Sequence, residues 1–164
     1  MKACIVSDTT ALIVLAKTGR LALPGQLFET VFIPAAVADE IARKNDAVAQ
    51  AVRSAPFIQT APVQPAALLT TLQIVLDAGE SEAIALALEK RLPLLIDEKK
   101  GCLIAQAKGV AVIGLLGVLL LAVRQNALTA AEARQAFEEA AACGYRVSKQ
   151  LAEQFNAQLG AIER

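Results

Sequence analysis

The chain contains no histidine and no tryptophan among its 164 residues. Without imidazole there is no Ser-His-Asp or Cys-His catalysis, no His-ligated zinc and no histidine acid–base chemistry. Any catalysis falls to carboxylates, hydroxyls, lysine or a bound metal. One Tyr and five Phe leave little for stacking on nucleobases, so a nucleic-acid contact would run along the backbone with limited sequence preference. Net charge is absent as well: sixteen Lys and Arg balance sixteen Asp and Glu, and attraction to a polyanion needs a local basic patch. Cys4, Cys102 and Cys143 are far apart and lack CxxC spacing, which fits three apolar fillers in a reducing cytoplasm. The uncharged run at 109–123 is shorter than the roughly 18–20 residues of a spanning helix and contains Gly114 and Gly117. It reads as a buried strand turning into a buried helix, and the first residues are too short an apolar run for a signal peptide. No membrane association is expected.

What is present is apolar. A hydrophobic content of 55% supports one sizeable core, and with no Pro-, Gly- or Ser-rich linker and no internal repeat the expectation is a single domain over 1–164. The pattern predicts strands at 4–6, 31–33, 92–96 and 110–113, with an extended, proline-flanked stretch at 57–63. Helices are predicted at 11–17 (stopped by Gly19), after Pro34 as a first-turn proline, at 46–54, after Pro65, and at 79–90, 99–108, 115–124, 129–143 and 148–159. The last two close the chain and are expected to pack on the domain. Short apolar strands alternating with helices imply a central parallel sheet of about five strands covered on both faces, in a three-layer α/β/α sandwich. Ligands of such sheets bind beyond the carboxyl ends of the strands.

Acids fall at that edge. Two strands end in Ile5-Val6-Ser7-Asp8 and Leu94-Leu95-Ile96-Asp97-Glu98. Asp8 is equally placed to cap the helix that follows, a role worth about 1 kcal/mol, and Asp97 and Glu98 are placed to cap the helix near Lys99. Glu80 can close a capping box with Asp77, yet it shares a helix face with Ala83, Ile84 and Ala87, which should point inward. Glu82 shares its face with Glu89 and reads as solvated. Glu40 has an i,i+4 partner in Lys44, as Asp39 has in Arg43. Four acids from two strand ends and two helices would repel if unpaired, so a cluster that stays ionised needs cations. Hard oxygen ligands suit Mg²⁺ or Mn²⁺.

The segments Val6-Ser-Asp-Thr-Thr-Ala-Leu12, Ile33-Pro-Ala-Ala-Val-Ala-Asp-Glu40, Gly79-Glu-Ser-Glu-Ala-Ile-Ala-Leu-Ala87, Leu95-Ile-Asp-Glu-Lys-Lys100 and Val112-Ile-Gly-Leu-Leu-Gly-Val-Leu119 occur in this order. With Gly144-Tyr-Arg-Val-Ser148 they cover nearly the whole chain. In this the sequence resembles the PIN-domain ribonucleases, specifically the branch labelled DUF3368. The resemblance implies a PIN-like sandwich and an acidic Mg²⁺ or Mn²⁺ site that cuts single-stranded RNA. It also implies homodimers and, because many small PIN proteins are toxins of toxin–antitoxin pairs, an antitoxin protein as a partner to look for. Matched motif to motif, Asp8, Glu40, Glu80 and Asp97 take the four acid positions, with Glu98 beside the fourth and Thr10 as the hydroxyl that accompanies the first. This chain departs from the branch where two adjacent Asp and an Arg are common, having Asp97-Glu98-Lys99-Lys100-Gly101-Cys102 instead.

Under this reading Asp8, Glu80 and Asp97 coordinate metal, with Glu40 and Glu98 serving a second metal or orienting water. Lys17, Arg43, Lys44, Lys99 and Lys100 are the basic residues nearest the acids in sequence and the expected substrate contacts. Two other classes stay open. One is a PIN-like module that binds nucleic acid or protein without cutting. The other is a phosphate-handling domain with Asp8 as nucleophile, which lacks the usual Asp-x-Asp because Thr10 stands at the second position.

Overall fold

The structure, a computed structural model, describes residues 2–44 and 46–163; residues 1, 45 and 164 of the expected 1–164 span lie outside that description. The first strand, β1 (Ile5–Ser7), is wholly buried and passes through Asp8 into α1 (Thr9–Lys17). Gly19, at φ +72°, turns the chain after that helix, a left-handed conformation that favours glycine. A five-residue helix, α2 (Leu23–Leu27), follows with Pro24 in its first turn; it is too short for a periodic pattern to reveal.

The remaining elements alternate: β2 (Val31–Pro34), α3 (Ala35–Lys44), α4 (Asp46–Ser54), β3 (Ile58–Ala61), α5 (Ala67–Val75), α6 (Ala78–Lys90), β4 (Leu94–Leu95), α7 (Lys99–Ala107), β5 (Val112–Ile113) and α8 (Leu115–Arg124). Two helices, α9 (Ala130–Ala142) and α10 (Lys149–Glu163), complete the chain. Pro34 is not a first-turn proline. It is the last residue of β2, opposite Ala61 and past the final pairing with β1, where a sheet tolerates a residue without an N–H. Pro65 likewise stands two residues before its helix begins at Ala67. Strands β4 and β5 are shorter than their apolar runs, because Ile96 and Val110 are buried as flanking core residues outside the paired stretch.

All five strands are parallel, in the order β3-β2-β1-β4-β5. From β1 the chain builds outward to β3 on one side, then returns to lay β4 and β5 on the other. The order therefore reverses between β1 and β4, the crevice where open α/β sheets place their ligands. Register aligns the ends: Ser7 lies opposite Leu95, and Leu95 opposite Ile113. The Asp8 amide donates to the Leu95 carbonyl (2.9 Å) and the Ile96 amide to the Ile113 carbonyl (3.0 Å). Asp8, Asp97 and Gly114 thus leave three adjacent strands at one edge.

Successive strand residues face opposite layers. Ile5, Val31 and Leu95 pack with α1, α2, α8, α9 and α10, whereas Val6, Leu94 and Ile96 pack with α5, α6 and α7. A third cluster, from Leu12 and Ile33 to Val37, Ile41 and Val52, ties α3 and α4 to α1 and β2. The result is a three-layer α/β/α fold. Phe155 of α10 is buried and meets Phe137 of α9 edge-on, with centroids 5.3 Å apart. Among the described residues no helix is long and apolar enough to cross a membrane.

Ile84 is fully buried in the layer that carries Glu80. Ile84→Ala is expected to lower stability by about 2–5 kcal/mol, read as a lower denaturant midpoint at unchanged slope.

Candidate active site

Asp8 occupies the N-cap position of α1, but its side chain makes no capping bond and is only 7% exposed. A cap is therefore not what holds it there. Asp97 does not cap the helix beside it either. Both of its oxygens accept from the Leu115 amide at the start of α8 (3.1 and 3.2 Å), and Oδ1 also accepts from the Tyr145 hydroxyl at 2.7 Å. Glu98 is the cap of α7: Oε1 accepts from the Lys100 amide (3.0 Å) and Oε2 from the Gly101 amide (2.6 Å). The expected division of labour within Asp97-Glu98 is thus resolved residue by residue, with the exposed Glu98 capping its own helix and Asp97 bridging to α8.

Glu80 does two things at once. It closes the capping box of α6, its amide donating to Asp77 Oδ1 (2.8 Å) and its Oε1 accepting from the Asp77 amide (3.3 Å). Its other oxygen, Oε2, is buried and has no hydrogen-bond partner. Glu40 is half-buried on α3, and its Oε2 accepts from the Thr9 hydroxyl at 2.7 Å. Thr9, not Thr10, is the hydroxyl tied to an acid; Thr10 is exposed one residue further on. The ion pairs among the described residues are Arg20–Glu139 and Arg134–Glu163, so the anticipated Glu40–Lys44 pair is not formed.

Glycines leave room for these groups. A Cβ on Gly79 would lie 3.1 Å from Glu40 Oε2, 3.5 Å from Asp8 Oδ1 and 3.6 Å from Asp77 Oδ1, so three carboxylates ring one point. On Gly101 a Cβ would lie 3.3 Å from Glu98 Oε2 and 3.6 Å from Glu80 Oε2. The acids are thereby gathered from β1, α3, α6 and the end of β4 at the crevice edge.

Crowding and burial move their protons. Burial pushes Asp8 up to about 6, eased by the Thr9 amide and reinforced by Asp77, Glu40 and Asp97. Burial also pushes Glu80 up to about 8, with Glu98 and Asp77 adding to it. At Glu98 burial works upward too, but the Gly101 and Lys100 amides and neighbouring Glu80 outweigh it and hold the group below its ordinary value. Of that pair, Glu80 keeps the proton. Asp97 is raised by burial against the pull of Tyr145 and Leu115. The Cys102 thiol is pushed up to about 11 by burial and then by Asp97, Glu98, Asp8 and Glu80, so one sulfur senses four of the acids. Burial and Asp97 keep the Tyr145 phenol protonated.

Basic residues border two openings that share Glu40 and Lys44. A cleft of about 640 Å³ between α3 and the start of α6 is lined by Asp39, Glu40, Arg43, Lys44, Asp77 and Gly79. A groove of about 230 Å³ runs past Thr9, Thr10, Lys17, Glu40, Lys44 and Tyr145. Lys99 and Lys100 are exposed at the start of α7 and line neither. Glu82 is not a solvated residue: it accepts from the Ala36 amide at 3.1 Å, fastening α6 to the first turn of α3. Helical periodicity cannot see an acid that caps a different helix.

Sequence reasoning passed over Thr9, Tyr145 and the proximity of Asp77. Thr9 carried a local signal, being the hydroxyl adjacent to a strand-end acid. Tyr145 falls in the Gly144–Ser148 segment that shares the family pattern, but its role was not readable there, since its partner lies 48 residues away.

Among the described residues no three Asp, Glu or Cys side chains form a ready ligand cage. The donors nevertheless fit a small divalent cation. Mg²⁺ keeps several waters and is held by one or two carboxylates rather than a full protein cage, and the orphaned Glu80 Oε2 beside Glu98 is a buried oxygen that needs a proton or a cation.

Because Asp8 and Glu80 bind protons more tightly folded than unfolded, their contribution to stability is complete below their ordinary values near 4 and is lost as pH rises. Without divalent cations, the protein is expected to lose stability between about pH 4 and 8, through Asp8 and Glu80 together up to about pH 6 and through Glu80 alone above it. Thermal melts across that range check it, and saturating Mn²⁺ should flatten the profile.

A family model described as DUF3368, PIN domain, matches residues 4–161. No curated protein matches the chain closely. The fold is of the nuclease type, and PIN domains typically use divalent metal ions. With nearly its full length matched and its acids at the β1–β4 crevice, this chain belongs to the DUF3368 family of PIN domains.

Proposed function

We propose that the chain is a metal-dependent endoribonuclease that cuts single-stranded RNA, with Mg²⁺ or Mn²⁺ as cofactor. The observation that carries the reading is the buried Glu80 Oε2, which no donor group reaches and which without a cation depends on a proton shared with Glu98, within a cluster of Asp8, Glu40, Asp77, Asp97 and Glu98. Such an oxygen is costly in an apoprotein and is satisfied by the cation that phosphodiester cleavage uses.

Asp8, Glu80 and Asp97 would hold the cation, with Glu98 at its margin. The cation supplies a nucleophile from water near neutral pH and offsets charge on the phosphate oxygens. Glu40, fixed by Thr9, is placed to accept a proton from the attacking water. Lys17 and Lys44 border the openings that meet at Glu40 and contact the backbone of the strand, with Thr10 at the rim and Lys99 and Lys100 on the Glu98 side. This arrangement needs no histidine and no base stacking. Family resemblance extends the proposal to a cytoplasmic homodimer acting as the toxin of a toxin–antitoxin pair, with a neighbouring gene for a DNA-binding antitoxin as its signature.

Purified protein incubated with single-stranded RNA and Mn²⁺ or Mg²⁺ should cleave it, and chelator should stop the reaction. Asp8→Asn and Glu80→Gln are each expected to reduce the rate by about 10²–10³-fold, the scale of one electrostatic stabiliser. Cleavage undiminished in both variants would remove the assignment, and no cleavage under any metal would favour a binding module. Lys44→Ala should weaken RNA binding with little sequence dependence and lower the salt slope by about one unit.

A further inference from the structure

The C-terminal helices reach the acid cluster through one side chain. Tyr145 lies between α9 and α10 and is 6% exposed. Phe137 meets its ring edge-on, centroids 6.5 Å apart at 77°, and Phe155 braces Phe137 from behind. The hydroxyl leaves this aromatic group and donates to Asp97 Oδ1 at 2.7 Å.

Asp97 is consequently held from three directions. It leaves β4 at the crevice edge, the Leu115 amide of α8 reaches both oxygens, and Tyr145 adds a second donor to Oδ1 alone. A Cβ on Gly114 would lie 2.7 Å from that same Oδ1, so the carboxylate sits against the start of α8 only because residue 114 has no side chain. The two oxygens are left unequal. Oδ1 has two donors, and Oδ2 has only a share of the Leu115 amide.

We propose that Tyr145 is a positioning residue for Asp97: its hydroxyl pins Oδ1 so that Oδ2 is presented to the divalent cation. The inference rests on the reading of the cluster as a metal-dependent site. A carboxylate with one oxygen doubly bonded cannot swing without breaking both bonds, and hydrogen-bond partners behind a ligand typically change metal affinity by about 10–100-fold. A tyrosine serving only as core filler would be replaced by phenylalanine at little loss.

Tyr145 is the chain's single tyrosine and there is no tryptophan, so intrinsic ultraviolet emission reports this phenol alone. The experiment titrates Mn²⁺ into the full chain, Tyr145→Phe, Asp97→Asn and Phe137→Leu. Binding is read by calorimetry and, where the phenol is kept, by quenching of emission; melts without metal accompany each variant. In the unaltered chain Mn²⁺ should quench the tyrosine, and in Asp97→Asn it should not. Tyr145→Phe should bind Mn²⁺ about 10–100-fold more weakly, whereas Phe137→Leu should lose stability but keep its affinity.

If Tyr145→Phe binds like the unaltered chain while Asp97→Asn does not, the positioning role is wrong and the metal site stands. If Asp97→Asn binds Mn²⁺ unchanged, the metal reading of Asp97 falls and the positioning role with it. If Phe137→Leu weakens binding as much as Tyr145→Phe, packing rather than the hydroxyl sets the affinity and the proposal is overturned.

Discussion

Asp8 and Asp97 leave neighbouring parallel strands at the same edge, and the fold buries Asp8 and half-buries Asp97. The pairing of β1 with β4 sets that edge. Two carboxylates cannot be taken out of water side by side without compensation. Much of the local structure supplies it: the Leu115 amide and the Tyr145 hydroxyl at Asp97, the Thr9 hydroxyl at nearby Glu40, and the capping box that fixes Glu80. What these bonds leave over appears as raised affinity for protons at Asp8, Glu80 and Asp97.

The compensation is also built into helix direction. α1, α6, α7 and α8 all begin at this edge, after Asp8, Asp77, Glu98 and Gly114. A helix start carries partial positive charge and unpaired amides, so with α3, which starts after Pro34 and carries Glu40, five helix N-termini face this edge. Capping and site-building are therefore not competing explanations for these residues. Glu98 has both oxygens on amides, Asp77 and Glu80 each have one there, and Asp8 makes no capping bond at all.

The sheet and the edge were legible because apolar runs ending in Asp are local patterns, and parallel strands require their ends to fall together. Element limits were less so. Apolar runs such as 92–96 continue past the paired residues because core burial, not strand pairing, selects for apolar side chains. Asp8, Glu40, Glu80 and Asp97 could be nominated one by one from strand ends and helix faces. Their partners could not, because Thr9 to Glu40, Glu82 to Ala36 and Tyr145 to Asp97 span 31, 46 and 48 residues. Such contacts leave no period in the sequence. Glycine was informative only in retrospect: Gly79, Gly101 and Gly114 each mark a place where a Cβ would crowd a carboxylate.

Those engaged and idle oxygens order the acids by what each can still offer. Glu98 has both oxygens on amides and holds its charge easily, so it is the poorest place for a proton. Glu80 Oε2 has Glu98 beside it and no donor group facing it, and burial with that neighbour raises its proton affinity, so an ionised cluster is strained there. A proton and a divalent cation relieve that strain in the same place, and they compete. A cation entering the proposed site would therefore meet its least satisfied oxygen at Glu80, beside Glu98, rather than at the more conspicuous strand-end Asp8.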